Sequence, residues 1–279
     1  MNARRERNLR EMGLAPVWRL RERQAQGATR EASAEAPAAE AASATSATAP
    51  AKAPALARKP AIPAPALGLT VRAAAQNPAD DRTARILQMD WAGLKTAVKD
   101  CQACGLRKTC TKTVFGVGDE HADWLLVGEA PGAEEDARGE PFVGQAGRLL
   151  DSMLAAIDLK RGENVYICNV LKCRPPGNRN PEPGEVAQCA PHLVRQLELI
   201  RPKLILAMGR FAVQALLATE ASIASLRGRL HRYQGVPLVV TYHPAYLLRS
   251  LPDKAKAWED LCFARRTLLA LQSQAAPPT

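Results

Sequence analysis

The chain has 279 residues, a formal net charge of +10 and seven cysteines. This length is sufficient for one large domain or two small ones with a real core, and the charge favours a polyanionic partner without identifying it. No run of about 18 apolar residues is present, which excludes a helix that spans a membrane, and the arginine-rich N-terminus lacks the apolar core of a secretory signal. We therefore expect a cytoplasmic protein, in which clustered thiols bind metal more often than they form disulfides.

Composition divides the chain into segments. Residues 31–85 are mostly Ala, Pro, Ser and Thr, a mixture that buries too little apolar surface to offset the entropy of ordering, so they are predicted to be a disordered linker. Apolar residues scattered among arginines in residues 1–30 predict a short helical segment that docks on a protein partner or on DNA, with a frayed, solvated end as the alternative. The globular domain is predicted at 86–273, with a tail at 274–279 and a monomeric state.

Apolar runs alternate with helical patterns in the globular part. Asp90 is predicted to cap a helix that carries Trp91, Leu94 and Val98 on one face. The predicted strands are Trp124–Val127, Val165–Leu171, Lys203–Met208 and Leu238–Tyr242. The predicted helices are 144–157, 182–200, 210–218 and 254–271, and one hairpin is predicted around 234–237. Continuously apolar strands joined by helices indicate an α/β fold, a three-layer α/β/α sandwich around a central, mostly parallel, four-stranded sheet.

Polar residues follow the predicted strands. In open α/β sheets ligands bind at the carboxyl ends of the strands, and here those ends carry Gly128-Glu129, Asn169, Gly209 and His243. A buried Asn offers a donor and an acceptor together, the pair that reads a pyrimidine edge, although a structural turn Asn gives the same pattern. A His before Pro is usually a plain loop residue, but the apolar and basic residues up to Arg249 suit a wedge that enters a duplex and meets a phosphate.

The cysteines form two separated pairs, Cys101-x2-Cys104 and Cys173-x15-Cys189. Four thiolates suit either a tetrahedral zinc ion or a [4Fe–4S] cluster, and the spacing is looser than that of a zinc ribbon. Cys110 is an alternative ligand to Cys104. The other two cysteines lie inside an apolar strand and an amphipathic helix, as expected for ordinary buried thiols.

Taken together and in this order, the motifs resemble the family-4 uracil-DNA glycosylases, the iron–sulfur branch of the uracil-DNA glycosylase superfamily. The resemblance covers about residues 90–271 and rests on Cys101-x2-Cys104, GEAPGAEED at 128–136, PFVGQAGRLL at 141–150, CNVLKCRPPGNRNP at 168–181, Cys189 and HPAYLLR at 243–249. It implies an enzyme that flips uracil out of single- or double-stranded DNA and hydrolyses the N-glycosidic bond, leaving an abasic site for base excision repair.

The resemblance also implies roles for individual residues. Cys101, Cys104, Cys173 and Cys189 are expected to hold a [4Fe–4S] cluster with a structural role. Phe142 is expected to stack on the flipped base, Asn169 to read its edge, and His243 to donate to the carbonyl that gains charge. The remaining residues expected to contact substrate or DNA are Gly128, Ala130, Arg174, Leu247, Leu248 and Arg249.

The residue that activates water is the least defined part of the resemblance. Superfamily members with a GQDPY-type motif place an aspartate where this chain has Ala130, so Glu129 is expected to hold the water or to shape the pocket, with Glu135 or Asp136 as further candidates. Two alternatives apply to the whole domain. One is a non-catalytic module that binds DNA or a partner. The other is the related branch that traps abasic DNA through a histidine, which the stretch after Cys173 lacks.

Overall fold

A computed structural model of the chain describes Glu11 and residues 78–275, and its centre is a six-stranded sheet. The strands are β1 Val117–Gly118, β2 Trp124–Gly128, β3 Val165–Asn169, β4 Leu204–Met208, β5 Leu230–Tyr233 and β6 Val236–Thr241. Their order is β1-β3-β2-β4-β6-β5, with the four central strands parallel and both edge strands antiparallel. The predicted α/β fold class is confirmed, and the sheet has six strands where four were predicted.

Helices cover both faces of this sheet. They are α1 Pro78–Leu87, α2 Trp91–Lys99, α3 Ala133–Arg138, α4 Gln145–Ala156, α5 Pro183–Ile200, α6 Arg210–Leu217, α7 Ile223–Leu226, α8 Pro244–Leu247 and α9 Asp253–Ala275, with 3-10 turns at Gly105–Lys108 and Pro176–Asn178. Asp90 caps α2 as predicted, because its side chain accepts a hydrogen bond of 2.8 Å from the backbone N–H of Gly93. None of the described helices is both long enough and apolar enough to cross a bilayer.

The central strands are buried on both faces, which explains their continuous apolar sequence. Side chains alternate across a strand, so Leu126 packs with α4 and α9 on one face while Leu125 and Val127 pack with α5 and α6 on the other. Each fully buried aliphatic side chain of this kind stabilises the fold by about 1.5–3 kcal/mol. The two clusters fix the sheet rigidly, and with it the loops that follow the strands.

The predicted boundary between linker and domain is wrong. Helix α1 begins at Pro78, inside the predicted linker, and Ile86 is buried in a small cluster with Leu94 and Val98 of α2. Arg82 also bonds the main-chain oxygen of Gln188 in α5 at 3.0 Å. The domain therefore includes α1. Residues 1–10 and 12–77 lie outside the described residues, and they carry the predicted interaction segment and most of the predicted linker.

Replacing Ile86 with Ala tests whether α1 belongs to the folded domain. The substitution leaves a cavity between α1 and α2, so we expect the free energy of unfolding in urea to fall by about 2–5 kcal/mol. Leu269→Ala is the control, because Leu269 is 56% exposed on α9 and its loss should change stability by less than about 0.5 kcal/mol. Equal stabilities of the two variants would contradict the packing of α1.

Candidate active site

The parallel register brings the predicted strand-end residues together. Gly128 at the end of β2 pairs directly with Asn169 at the end of β3. A Cβ atom on Gly128 would lie 2.4 Å from Asn169 Oδ1 and 2.6 Å from the ring of Phe142. Only glycine fits this position, because the Asn169 side chain and the Phe142 ring both approach its Cα closely.

Asn169 carries an unused acceptor. The residue is 2% exposed, and its Oδ1 has no hydrogen-bond partner within the described part of the chain. Leaving a buried polar atom unpaired costs about 1–3 kcal/mol, so such atoms are rare in native structures and call for an explanation. A ligand that brings an N–H donor to this point would satisfy the acceptor.

His243 presents a defined donor to the same region. It caps α8, and its Nδ1 accepts a hydrogen bond of 3.1 Å from the backbone N–H of Ala245. Burial is the main cause that lowers the pKa of His243 to about 4, and the nearby Arg249 lowers it further. The ring is therefore neutral at pH 7, and since Nδ1 is an acceptor, the proton resides on Nε2. His243 is a neutral Nε2–H donor.

Glu129 follows Gly128 and lines a cleft of about 800 Å³ together with Ala130, Gly209 and His243. Burial raises the pKa of the Glu129 carboxyl to about 7, while the positive charge of Arg210 opposes that shift. A carboxyl that titrates near neutral pH in a cleft has the properties of a general base or a water-holding group.

Phe142 lies beside His243 in a strained loop. The ring centroids are 5.4 Å apart at an interplanar angle of 28°, and only 5% of Phe142 is exposed. Its φ of +55° is held by Arg161, whose guanidinium donates to the main-chain oxygens of Pro141 and Phe142 at 3.0 and 2.8 Å. A left-handed non-glycine residue costs about 1–3 kcal/mol and marks a position fixed by its surroundings.

The candidate water-activating residues Glu135 and Asp136 are engaged elsewhere. Glu135 accepts hydrogen bonds from the backbone N–H groups of Gly132, Val143 and Gly144. The 4% exposed Asp136 accepts from the backbone N–H groups of Thr111 and Lys112. Both carboxylates thus hold loops in place, and Glu129 is left as the carboxyl that faces the cleft.

The segment after β6 differs from the prediction at one residue. Leu247 is 1% exposed and packs in the core, so the expectation that it contacts DNA is wrong. Leu248 is 40% exposed, and the exposed Arg249 lines the cleft. Arg174 is half-buried and donates to Asn178 Oδ1 at 2.7 Å, beside the cleft wall. Of the predicted wedge, Leu248 and Arg249 remain available to a ligand.

The four predicted cluster ligands line a second cavity. Cys101, Cys104, Cys173 and Cys189 all face it. The seven cysteines lie in the described residues, and none forms a disulfide. In the part of the chain that the structure describes, no three His, Cys, Asp or Glu side chains are grouped closely enough to hold one metal ion. Four thiols around one cavity are a ligand set that both zinc ions and [4Fe–4S] clusters use.

Cys110 lies next to this set. Burial is the main cause that raises the pKa of Cys173 above its ordinary value, followed by a hydrogen bond with Cys110 and by the nearby thiols of Cys189 and Cys104. Burial likewise raises the pKa of Cys189 to about 11, against the effect of Lys172. The thiols are therefore mutual neighbours, and Cys110 stays an alternative ligand.

Comparison with known proteins gives one result. A family model described as "Uracil DNA glycosylase superfamily" matches residues 115–262. The chain is 49% identical to the type-4 uracil-DNA glycosylase of Archaeoglobus fulgidus over 159 residues, which are 54% of this chain and 79% of that protein. It is 44% identical to the type-4 enzyme of Thermotoga maritima over 161 residues, 57% of this chain and 83% of that protein. It is 40% identical to the type-4 enzyme of Pyrobaculum aerophilum over 181 residues, which are 62% of this chain and 92% of that protein.

The chain belongs to the type-4 uracil-DNA glycosylases. It is a DNA-repair enzyme that acts on uracil, as the resemblance predicted. The matched region contains the cleft and two of the predicted cluster ligands, Cys173 and Cys189, whereas Cys101, Cys104 and helices α1 and α2 precede residue 115.

Several residues of the candidate site were not predicted. Tyr242 and Tyr246 line the cleft with their rings stacked, the centroids being 5.3 Å apart at 17°. Arg210 contributes positive charge close to Glu129, and Arg161 braces Phe142 from 19 residues away. The only sequence signal for Tyr246 was its place in the HPAYLLR motif. The arginines act through tertiary contacts that no local pattern records.

Gly128→Ala tests the close approach at the strand ends. The added methyl group would displace Asn169 Oδ1 or the Phe142 ring, and overpacking of this kind costs about 1–3 kcal/mol, so we expect uracil excision to fall about 10- to 100-fold. Single-turnover rates on a uracil-containing oligonucleotide measure the effect. Gly184→Ala is the matched control, since a Cβ on Gly184 meets nothing within 4 Å. Similar rates for both variants would refute the constraint.

Proposed function

We propose that Asn169, His243 and Glu129 carry out uracil recognition and release, and that the four cysteines hold a [4Fe–4S] cluster. The observation that carries this proposal is the unused buried acceptor Asn169 Oδ1, which lies with the Phe142 ring against Gly128. Phe142 in turn stacks on His243, the neutral Nε2–H donor that lines the cleft. Uracil is a ligand of that character, because it offers an N–H donor at N3 between two carbonyl acceptors.

Recognition follows from the fixed acceptor. Asn169 Oδ1 accepts from uracil N3–H, whereas cytosine presents a lone pair at N3 and leaves the buried oxygen unpaired. A site built around a hydrogen bond rejects a base that cannot make it by orders of magnitude. Extrusion of the nucleotide costs a few kcal/mol, and the Phe142 ring and the cleft walls offset that cost by contact with the base.

Bond cleavage uses the neutral histidine. As the bond between C1′ and N1 breaks, its electron pair moves onto the uracil, and the sugar acquires oxocarbenium character. His243 Nε2–H donates a hydrogen bond to the carbonyl oxygen that gains negative charge, and such a preorganised donor contributes about 3 kcal/mol. A neutral donor is retained because the imidazolium is disfavoured by burial.

Glu129 completes the reaction. Its carboxylate orients a water molecule towards C1′ and takes a proton from it as the new C–O bond forms, which leaves an abasic site and free uracil. The departing base is an anion, so the sugar is already electrophilic and the water needs limited activation. A single carboxyl, that of Glu129 with a pKa near 7, is therefore sufficient, although Ala130 occupies the position where other superfamily members have an aspartate.

The cluster has a structural role in this proposal. The Cys101, Cys104, Cys173 and Cys189 thiols surround one cavity and would ligate a [4Fe–4S] group, which when bound ties together the segments that carry them. Exposed Leu248 and Arg249 would meet DNA, single- or double-stranded, at the mouth of the cleft, together with Arg174. A monomeric state, a cytoplasmic location and a partner for residues 1–30 remain predictions.

The proposed roles are tested by uracil release from a labelled oligonucleotide, scored as strand breakage after alkali. We expect His243→Ala to lose about 10²- to 10³-fold in rate, because the donor to the leaving base is gone. His231→Ala is the matched control, since His231 lies on edge strand β5 and contacts the main-chain oxygen of Leu226. Equal losses in both variants, or strand breakage without alkali, would contradict the assignment.

The pH dependence tests Glu129. Because the carboxylate is the active form and its pKa is about 7, kcat/KM should rise about tenfold per pH unit below pH 7 and level off above it. Titration of His243 does not change the rate in this pH range, since its pKa of about 4 keeps the ring neutral. Glu129→Gln should lower the plateau about 100-fold and abolish the rise. A rise that persists in this variant would assign the titration to another group.

A further inference from the structure

Lys172 is a buried cation that the proposed chemistry does not use. It is 2% exposed and lies between Asn169 and Cys173 in the sequence. Its Nζ donates to the main-chain oxygen of Asn169 at 2.8 Å and to Oε1 of Gln196 at 2.6 Å. It also lines the cavity that Cys173 and Cys189 line. One residue thus contacts the proposed uracil reader and lies at the cavity of the proposed cluster ligands.

No carboxylate balances this charge. Among the described residues, the ion pairs of the structure do not include Lys172, and both of its side-chain partners are neutral oxygens. Burying a charge without an opposite charge is strongly unfavourable, so buried lysines are almost always paired. The missing anion has to come from a group that binds beside Lys172.

The cysteine cavity is the place where an anion fits. Lys172 lines it, and its other charged wall residue is Arg107, so the cavity wall carries positive charge and no Asp or Glu. Arg82 adds a further cation, donating to the sulfur of Cys101 at 3.6 Å. A [4Fe–4S] core carries fewer positive charges than the negative charges of its four thiolate ligands, so the bound cluster has a net negative charge. The wall is therefore complementary to the cluster.

His192 gives an independent indication of a bound acceptor. It lines the cavity, is 2% exposed, and faces Arg82 with Nε2 at 3.1 Å. A guanidinium only donates, so Nε2 is the acceptor and the proton lies on Nδ1. That buried Nδ1–H has no partner within the described residues. A sulfur of the cluster would accept it.

We propose that Lys172 is the counter-ion of the cluster and a positioning residue that couples the cluster to Asn169. This inference rests on the cluster proposed above. With the cluster bound, the ammonium is balanced and holds the Asn169 main chain at the end of β3. Without it, the uncompensated charge has to move towards water, and the contact with Asn169 is lost. Coupling of this kind is reciprocal, so removing Lys172 weakens retention of the cluster.

The experiment measures iron release from purified protein to a ferrous chelator, after iron and acid-labile sulfide have been quantified. We expect Lys172→Met and Lys172→Gln to release iron about 10- to 100-fold faster than wild type, and Lys172→Arg to restore slower release. Lys254→Met is the matched control, because Lys254 is a buried lysine on α9 that does not line the cavity. The Gln variant serves if the Met variant does not fold.

A second readout addresses the coupling. In variants that still hold the cluster, the ratio of uracil to cytosine excision should fall for Lys172→Met and stay at the wild-type value for Lys254→Met. Wild-type protein without iron and sulfide would overturn the cluster and this inference together. A loaded wild-type protein whose Lys172 and Lys254 variants release iron equally, or keep equal base selectivity, would overturn this inference alone.

Discussion

The register between β2 and β3 is the constraint on which the site depends. Because Gly128 pairs with Asn169, the residue proposed to read the base lies beside the strand end from which Glu129 leaves the sheet. The approach is so close that Gly128 has no room for a methyl group. A shift of one residue would turn Asn169 to the opposite face of the sheet, so the apolar layers that lock the register also determine the chemistry.

Charged side chains hold the loops that follow the strands in fixed positions. Glu135 joins the start of α3 to the loop before α4 through three backbone N–H groups, and Arg161 donates to the main-chain oxygen of Phe142, a residue with positive φ. Charged side chains that satisfy backbone groups hold loop atoms with strong, directional hydrogen bonds. The site is thus rigid before substrate arrives, and its electrostatic contribution requires little reorganisation during the reaction.

Sequence reasoning succeeded where the signal is local. The parallel strands, the Asp90 cap and the clustering of Glu129, Gly209 and His243 all follow from periodicity and from the rule on strand ends. It failed for Leu247, because one turn of helix α8 directs that side chain inwards while its neighbour Leu248 faces outwards, and a motif does not specify a face. Assignments of DNA contacts from motifs therefore need the helix geometry.

Tertiary contacts explain the remaining omissions. Helix α1 lies in an Ala-rich stretch and depends on Ile86 and on Arg82, whose partner Gln188 is 106 residues away. Lys172, in the loop after β3, has a polar partner 24 residues away in helix α5, and nothing in its immediate sequence indicates burial. Edge strand β1 has two residues and no apolar alternation to detect. Such features depend on which segments pack together in the folded chain, and a local sequence pattern does not contain that information.

The hydrogen bond between Ala245 and His243 has a consequence for how this enzyme can evolve. The imidazole starts a helix with one nitrogen, and in the proposed mechanism it serves the leaving base with the other. Asn or Ser at this position would keep the helix start but present a different donor, and a residue that lacks an acceptor would disturb the loop before any chemistry is lost. Few neutral mutational steps therefore lead away from histidine, and selection on folding and selection on catalysis act on one side chain.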